Sequence, residues 1–227
     1  MVMGKRGPKP KRIIDEKWTA NLAYAIGLIA TDGCLSKDGL LIDLTSNDRE
    51  QLMNFSKCVG FNFNIGNKWN SKGDRNLRIQ FKNRIFYDFL LSIGLTPRKS
   101  LTMGELVIPD KYFFDFLRGC FDGDGCFYSY WDKRWRSSHM FYLEFASASI
   151  KHVNWLQDKI KGFTGVGGHV SGRKKKTFFQ LKYAKKEALV IIKKMYYNKK
   201  VVCLSRKKIK IGKALKIEEK QQKQYLK

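Results

Sequence analysis

The chain has 227 residues, and its 45 Lys and Arg residues against 20 Asp and Glu residues give a formal net charge of +25. This excess of positive charge is larger than solubility requires, and it predicts a polyanionic partner, with nucleic acid as the leading class. No apolar run approaches the about 20 residues of a membrane-spanning helix, and residues 1–12 lack the apolar segment of a signal peptide. We therefore expect an intracellular protein, cytoplasmic or organellar, that is neither secreted nor inserted in a membrane.

The cysteine and histidine contents exclude several kinds of site. Five cysteines occur, an odd number, and no two have the C-x-x-C spacing, so neither a disulfide framework nor a zinc ribbon is expected. The three histidines leave little for a histidine-based metal cluster or a Cys/His nucleophile pair. Any catalysis must therefore depend on carboxylates.

The chain begins with a basic segment, residues 1–17, that is rich in proline and glycine, and we expect a flexible arm there. An apolar helix follows, ending near Asp32. It carries Ala23, Gly27 and Ala30 on one stripe, and such a stripe of small residues allows a second backbone to approach closely. We therefore expect this helix to pack against another helix.

The remaining elements follow one order twice. In the first half, short strands lead to a helix that begins after Asp48 and ends at Gly60, and two further strands and a third helix follow. The second half repeats that order, with Ser149 at the start of the middle helix. The chain thus divides into the arm (1–17), a first repeat (18–95), a linker (96–110), a second repeat (111–212) and a polar tail (213–227) with no role beyond a helix.

Strand alternation predicts the faces of two sheets. Leu77, Ile79 and Phe81 alternate with polar residues in the first half, and Phe141, Leu143 and Phe145 do so in the second. Each half then offers one apolar and one polar face. The predicted fold is α+β, with pseudo-twofold tandem α-β-β-α-β-β-α repeats whose two antiparallel sheets form a saddle.

Two aspartates occupy equivalent places in the repeats. Gly27, Asp32, Gly33 and Cys34 recur 92 positions later as Gly119, Asp124, Gly125 and Cys126. If two helices pack along Ala23/Gly27 and Gly119/Gly123, the two carboxylates come side by side. Such a pair is costly unless cations neutralise it, and hard oxygen ligands suit Mg²⁺.

These segments resemble the LAGLIDADG homing endonucleases of the single-chain, two-motif type. L-R-G-C-F-D-G-D-G at residues 117–125 fits the nine-residue family motif, and residues 25–33 are a weaker copy. The connector T-P-R-K-S at residues 96–100, followed by V-I-P-D at 107–110, is similar to the family's link between its halves. The resemblance extends over roughly residues 18–211.

The resemblance implies a metal-dependent endonuclease that cuts both strands of a long double-stranded DNA site and leaves 3′ overhangs. Asp32 and Asp124 would be the catalytic metal ligands, helped by the main-chain carbonyls of Thr31 and Gly123. Mg²⁺ is the implied cofactor, with Mn²⁺ as a substitute and Ca²⁺ as a non-catalytic occupant. The chain departs from the family at Ala30, where an acid is common.

Lys99 and Lys207 match the basic residue that family members carry near each metal site. By resemblance they would activate water or stabilise the pentacovalent phosphate. The alternative is that both are ordinary phosphate contacts in a lysine-rich chain.

The polar strand faces and basic loops supply candidate DNA contacts. They include a W-D-K-R-W-R hairpin at residues 131–136, with no counterpart in the first repeat, and a second basic loop. The candidates are Lys68, Arg75, Asn76, Arg78, Gln80, Lys82, Lys133, Arg134, Arg136, Tyr142, Arg173, Lys174, Lys175, Gln180 and Lys182.

The leading hypothesis is a monomeric, intron-encoded endonuclease, with double-stranded DNA as its partner. One alternative is a maturase that binds intron RNA, and another is a DNA-binding regulator that does not cut. Both alternatives tolerate loss of the metal carboxylates, so the presence of Asp32 and Asp124 favours the nuclease.

The net charge generates a first prediction. The logarithm of the association constant for duplex DNA should fall with the logarithm of salt concentration, with a slope of about −0.9 per neutralised phosphate. Fluorescence anisotropy titrations over a salt series measure this slope. A nearly flat slope would mean that the charge serves another purpose, and tighter binding to structured RNA than to any duplex would favour the maturase.

Overall fold

The computed structural model of the chain describes residues 10–69, 71–173 and 178–225. Most of the predicted basic arm, residues 1–9, and Lys174 and Lys175 of the second basic loop lie outside the described residues, as does the side chain of Arg173.

The predicted order of helices and strands is confirmed in both halves. The first half contains α1 (Ala20–Asp32), β1 (Gly33–Leu35), β2 (Leu41–Ser46), α2 (Arg49–Val59), β3 (Gly66–Trp69), β4 (Arg75–Lys82) and α3 (Arg84–Ser92). A short helix, α4 (Lys99–Thr102), and a 3₁₀ turn (Asp110–Tyr112) connect the halves. The second half contains α5 (Phe113–Asp124), β5 (Cys126–Trp131), β6 (His139–Ser147), α6 (Ile150–Thr164), β7 (His169–Arg173), β8 (Phe178–Ala184) and α7 (Lys185–Met195), and α8 (Ser205–Tyr225) follows it.

The strands form two antiparallel sheets of four strands, in the orders β1-β2-β4-β3 and β5-β6-β8-β7. The α+β prediction is therefore confirmed. One face of each sheet is apolar: in the first, Phe81 packs against Phe55 of α2 and Phe86 of α3, with ring centroids 6.3 and 6.4 Å apart. Because side chains alternate between the two faces of a strand, the polar residues lie on the opposite face of each sheet, away from these helices.

The helices α1 and α5 pack against each other through glycine, as the small-residue stripe predicted. A Cβ atom added at Gly27 would lie 2.8 Å from both Cys120 N and Gly119 Cα of α5, and one at Gly119 would meet the backbone of Tyr24 and Gly27. Only glycine permits such close approach of two backbones. The ends of α1 and α5 are brought together as a result.

The predicted helix ends are present, with one difference in their chemistry. Asp48 accepts a hydrogen bond from Glu50 N at 3.1 Å and so caps α2, which ends at Gly60 with φ of +68°. Ser149 precedes α6 without capping it, because its hydroxyl donates instead to Met103 O at 2.5 Å. The hydrogen bond from Ser149 to Met103 therefore connects the linker to the second half.

The hairpin between β5 and β6 is longer than the β1–β2 hairpin of the first repeat, whose sequence has no equivalent of residues 131–136. The strands β5 and β6 have 6 and 9 residues, whereas β1 and β2 have 3 and 6. The hairpin ends are joined by a hydrogen bond from Asp132 N to Ser138 O at 3.0 Å.

The last helix, α8, passes residue 213 without a break, although the sequence suggested a separate polar tail from that point. Ile211 and Ala214 are buried, and Gln221 donates to Ser137 O in the long hairpin at 2.5 Å. This segment packs along the second sheet because its few apolar residues share one face of the helix.

No helix in the described ranges is long and apolar enough to cross a membrane.

The close approach of α1 and α5 generates a prediction. Gly119→Ala should destabilise the protein by about 1–3 kcal/mol, because the added methyl group forces the two backbones apart. Urea unfolding measures the change. The matched control is Gly162→Ala in α6, where a Cβ meets nothing within 4 Å and should stabilise the helix by about 0.5–1 kcal/mol. Equal stability of Gly119→Ala and the unsubstituted protein would contradict the packing described here.

Candidate active site

The two repeated aspartates are the last residues of α1 and α5, so the packing of these helices determines where the carboxylates lie. Gly123 of α5 lies against the end of α1: a Cβ added there would be 2.7 Å from Thr31 Cβ and 2.9 Å from Asp32 Oδ2. Both helix ends carry the negative pole of the helix dipole. The structure thus brings together the predicted ligand residues Asp32, Asp124, Thr31 and Gly123 at one electronegative point.

Burial raises the pKa values of both carboxyl groups. The pKa of Asp32 rises to about 6 because the group is buried and because Asp124 lies near it, although a hydrogen bond from Gln51 opposes the rise. Burial also raises the pKa of Asp124, while the charges of Lys99 and Lys207 oppose it. Two partly desolvated carboxylates with hard oxygen atoms suit a divalent cation such as Mg²⁺. The group of donors therefore fits the predicted metal.

Gln51 was missed by the sequence reasoning. It is buried in α2, donates to Asp32 Oδ2 at 2.5 Å, and accepts from the Ser46 hydroxyl at 3.1 Å. A polar residue at the third position after the helix cap, on the same face as Leu52 and Phe55, was the available signal. Gln51 holds the Asp32 carboxylate in place.

His152 is the counterpart of Gln51 in the second repeat, three residues after Ser149, and it was also missed as a site residue. Its ring is buried, and Nδ1 lies 2.9 Å from Gly104 O. Burial lowers its pKa to about 4, so the ring is neutral near neutral pH. His152 lines a small cavity together with Asp124.

The two predicted lysines are buried beneath the helix ends. Lys99 and Lys207 are 5% and 8% exposed. Lys207 Nζ donates to the carbonyls of Phe121, Asp122, Gly123 and Gly125 at 2.5 to 3.3 Å, and Lys99 Nζ donates to Thr31 O at 3.4 Å. Both side chains thus bind the carbonyl ends of α5 and α1. Both side chains are therefore buried, unlike the exposed lysines that make ordinary surface contacts to phosphate.

The electrostatic surroundings of the lysines also differ from those of surface residues. Burial lowers the pKa of Lys207 to about 8, and it lowers the pKa of Lys99 as well, while the nearby carboxylates oppose both shifts. The ammonium group of Lys207 has three donors for four carbonyls, so all of its donors are used.

The carboxylate of Asp122 is not one of the carboxylates that meet at the ends of α1 and α5. It is fully buried, and its Oδ2 accepts from the Tyr24 hydroxyl and from Leu204 N, both at 2.7 Å. Burial raises its pKa to about 6. It connects α5 to α1 and to the start of α8, which is a structural role, and Ala30 stands at the equivalent position in α1.

Two open cavities flank the carboxylates. The cavity beside Asp32 has a volume of about 540 Å³ and also contacts Gln51, Asn76 and Gly123. The cavity beside Asp124 has a volume of about 390 Å³ and also contacts Cys126, Glu144 and Gln180. Within the described ranges, no cluster of three or more His, Cys, Asp or Glu residues could hold a metal. A metal here would need backbone or solvent oxygens beside the two aspartates.

The candidate DNA contacts of the first sheet fall into two groups. Strand alternation puts Asn76, Arg78, Gln80 and Lys82 on the polar face, and Lys68 joins them because it pairs with Asn76. Arg75 is on the apolar side, where its Nε donates to Asn67 Oδ1 at 2.8 Å. The structure therefore separates Arg75 from the other four polar residues of β4.

In the second sheet, Tyr142, Gln180 and Lys182 share the polar face. Lys182 Nζ lies 5.0 Å from the centroid of the Tyr142 ring, and Tyr142 stacks on Tyr128 at 5.3 Å. This polar face is thus more aromatic than its counterpart. The hairpin residues Lys133, Arg134 and Arg136 are exposed, and Arg134 pairs with Asp132 at 3.6 Å.

Each polar face also carries an acidic residue that the sequence reasoning did not select. Asp43 lies opposite Gln80 in the first sheet, and Glu144 lies opposite Lys182 in the second. Both are surrounded by cationic or amide side chains.

Solved structures with a similar backbone exist, whereas no protein-family profile and no curated protein matches the sequence. The homing endonuclease I-WcaI bound to its DNA recognition sequence superposes with a TM-score of 0.58 over 86% of this chain and 88% of that chain, at 13% identity. I-DmoI in complex with DNA and Mn superposes with a TM-score of 0.52 over 79% and 97%, at 12% identity. The chain has the LAGLIDADG fold.

The same fold occurs in DUF199/WhiA from Thermatoga maritima, with a TM-score of 0.54 over 81% of this chain, at 14% identity. This chain spans 58% of that full-length protein. At such low identities the similarities establish the LAGLIDADG fold alone. The chemistry must be argued from this chain's own residues.

The hydrogen bond between Gln51 and Asp32 generates a prediction. Gln51→Ala should raise the pKa of Asp32 above its value of about 6, because the variant lacks the donor that stabilises the ionised form. Carboxyl ¹³C NMR over a pH series measures this pKa. Gln157→Ala in α6, which removes an amide bonded to Gly167 O, should leave it unchanged. An unaltered Asp32 pKa in Gln51→Ala would show that the bond contributes nothing.

Proposed function

We propose that the protein is a metal-dependent, site-specific DNA endonuclease that binds a long duplex along its two polar sheet faces and cuts both strands. The observation that carries this proposal is the meeting of Asp32 and Asp124 at the packed ends of α1 and α5, in a chain with a net charge of +25. The carboxylates suit a divalent cation, and the charge suits a polyanion.

In this proposal, Asp32 and Asp124 hold Mg²⁺, and the carbonyl oxygens of Thr31 and Gly123 are further ligands. The bound metal supplies the positive charge that orients water and stabilises the scissile phosphate and the leaving oxygen. I-DmoI has been solved in complex with DNA and Mn, which supports use of a divalent metal on this fold. Mn²⁺ is therefore the expected substitute, and Ca²⁺ a non-catalytic occupant.

The surrounding residues prepare the carboxylates for this task. Gln51 donates to Asp32 and favours its ionised form. Lys207 is saturated by carbonyls and holds the end of α5 in position. Lys99 donates one hydrogen bond within the described residues, so it retains donors that can stabilise the charge developing on the phosphate.

DNA recognition is assigned to the polar sheet faces. Side chains such as Arg78, Gln80 and Gln180 can hydrogen-bond to base edges in the major groove, where each base pair presents a distinct pattern. Exposed lysines and arginines of the hairpins contact phosphates. The I-WcaI complex with its DNA recognition sequence supports this use of the fold. By analogy with homing endonucleases, the protein acts as an intron-encoded monomer and leaves 3′ overhangs.

Two observations favour alternative functions. The stacked rings of Tyr128, Tyr130 and Tyr142 on the second polar face suit an RNA-binding maturase, because unpaired RNA bases stack on aromatic side chains. The fold also occurs in DUF199/WhiA, which is not described as an endonuclease, so the fold alone does not imply cutting, and a DNA-binding regulator that does not cut is a further candidate. The paired carboxylates, which neither alternative needs, favour the endonuclease.

The proposal generates a test at the aspartates. Asp32→Asn and Asp124→Asn should each lower double-strand cleavage by about 10²-fold or more, because each removes a charged metal ligand at the site of chemistry. DNA affinity should change little. The substrate is a supercoiled plasmid that carries a duplex selected by the protein from a random library, and the readout is the yield of linear and nicked forms.

Asp110→Asn, at an exposed aspartate paired with Lys159, is the matched control and should cleave normally. A chelator should abolish cleavage by the unsubstituted protein, and Mg²⁺ should restore it. Normal cleavage by either active-site variant would contradict the proposed mechanism. Tight, selective binding without any cleavage by the unsubstituted protein would favour the regulator.

A further inference from the structure

Asp43 is an acidic residue at the centre of the first polar sheet face. Its Oδ1 accepts from the Thr45 hydroxyl at 2.8 Å and lies 3.5 Å from Lys68 Nζ. Its Oδ2 accepts from Gln80 Nε2 at 3.2 Å and lies 3.5 Å from Arg78 NH1. The side chain is 11% exposed. Asp43 thus contacts three of the candidate DNA contacts of its sheet.

Glu144 occupies the same position in the second sheet. Asp43 pairs with Cys34 and Gln80, and Glu144 pairs with Cys126 and Lys182, so the two acids are equivalent by strand register.

The contacts of Glu144 also parallel those of Asp43. Its Oε1 lies 2.8 Å from Lys182 Nζ and accepts from the Tyr128 hydroxyl at 3.1 Å, and its Oε2 accepts from Gln180 Nε2 at 3.4 Å. The bond to Glu144 is the main cause of the raised pKa of Lys182. The arrangement therefore occurs once in each half.

An acid on this face opposes the binding of a polyanion, since it cancels part of the positive charge that attracts phosphates. Its contribution must lie elsewhere, and the contacts indicate where. Lysine and arginine side chains have many rotamers, and fixing them before binding lowers the entropy cost of making a directed contact. The carboxylate supplies the fixed partner that holds them.

The amide contacts add a more specific constraint. A carboxylate can only accept hydrogen bonds, so the NH₂ groups of Gln80 and Gln180 must face Asp43 and Glu144. This orientation determines which edge of each amide remains for a ligand. A glutamine that could rotate freely would present its donor and acceptor groups in either order, and it would discriminate poorly between bases.

We propose that Asp43 and Glu144 are positioning residues for sequence discrimination, each for the half-site contacted by its own sheet. They hold Arg78, Gln80, Gln180 and Lys182 in the orientation that recognises base edges, and they lower the affinity for DNA in general. The inference rests on the proposed binding of duplex DNA by the polar faces, but it does not depend on cleavage.

The experiment compares Asp43→Asn and Glu144→Gln with the unsubstituted full-length chain. Both substitutions keep the side-chain shape and remove the charge. Asp88→Asn in α3 and Asp158→Asn in α6 are matched controls, because they change the net charge equally on exposed helix positions. Thermal unfolding checks that every variant is folded. The measurements are affinity for a non-specific duplex and a base-preference profile selected from a random duplex library.

For each positioning variant, we expect non-specific affinity to rise a few-fold above that of its control, since a negative charge near the phosphates is lost. We expect discrimination to fall by about 10-fold at several adjacent base pairs, because freed side chains no longer select among bases. Asp43→Asn should affect one half-site, and Glu144→Gln the other. The controls should keep the original profile.

Three results would overturn the inference. One is a profile that stays unchanged in both variants while the unsubstituted protein is selective. Another is loss of preference at a single base pair together with weaker binding, which would indicate direct acceptance of a base amine by the carboxylate. The third is an equal change in both half-sites. An unsubstituted protein that prefers no duplex sequence would instead refute the proposed function itself.

Discussion

The close contact between α1 and α5 at Gly27 and Gly119 is the constraint on which the rest of the structure depends. It allows two helix backbones to touch where any side chain would separate them. Because both helices end at the same level, Asp32 and Asp124 end up next to each other. Each sheet then continues from the end of one of these helices, through β1 and β5. The geometry of the candidate site and the origin of both sheets follow from one helix packing.

That packing concentrates negative charge, and the chain compensates it with groups that are hidden from solvent. Two helix C-termini and two carboxylates meet in one small volume. Lys99 and Lys207 donate hydrogen bonds to the main-chain carbonyls at the ends of α1 and α5. Both lysines lose solvation in doing so, and this burial lowers their pKa values. Burial also raises the pKa values of the aspartates. In the proposed function, a metal ion adds further positive charge beside the two aspartates.

The sequence was sufficient for features that repeat or alternate. The aspartates were identified by recurrence at a fixed offset, the contact of α1 and α5 by small residues on one stripe, and the sheet faces by strand alternation. The predicted order of helices and strands was also confirmed, because residues that begin and end helices, such as Asp48 and Gly60, act within a few positions of the chain.

Features that depend on tertiary contacts could not be predicted in this way. The local sequence places Gln51 on the apolar face of α2, but it does not reveal its partner, the Asp32 carboxylate 19 positions away. The end of α8 has a polar composition, and its buried face exists only because the second sheet and its long hairpin lie beside it. Arg75 lies on the opposite face of β4 from Arg78 and Gln80, and its hydrogen bond to Asn67 depends on the pairing of β3 with β4. Asp43 and Glu144 were passed over because an acid on a DNA-binding face has meaning only once its partners are known.

The hydrogen bond from Tyr24 to Asp122 has a consequence for how the halves recognise each other. Its two members have no equivalents across the repeat, because Phe116 stands where Tyr24 would recur and Ala30 stands in place of Asp122. Two copies of the first half would bury tyrosine hydroxyls without an acceptor, and two copies of the second would bury carboxylates without that donor. Each mismatch costs about 1–3 kcal/mol. One hydroxyl and one carboxylate therefore favour the pairing of two unlike halves over the pairing of two like ones.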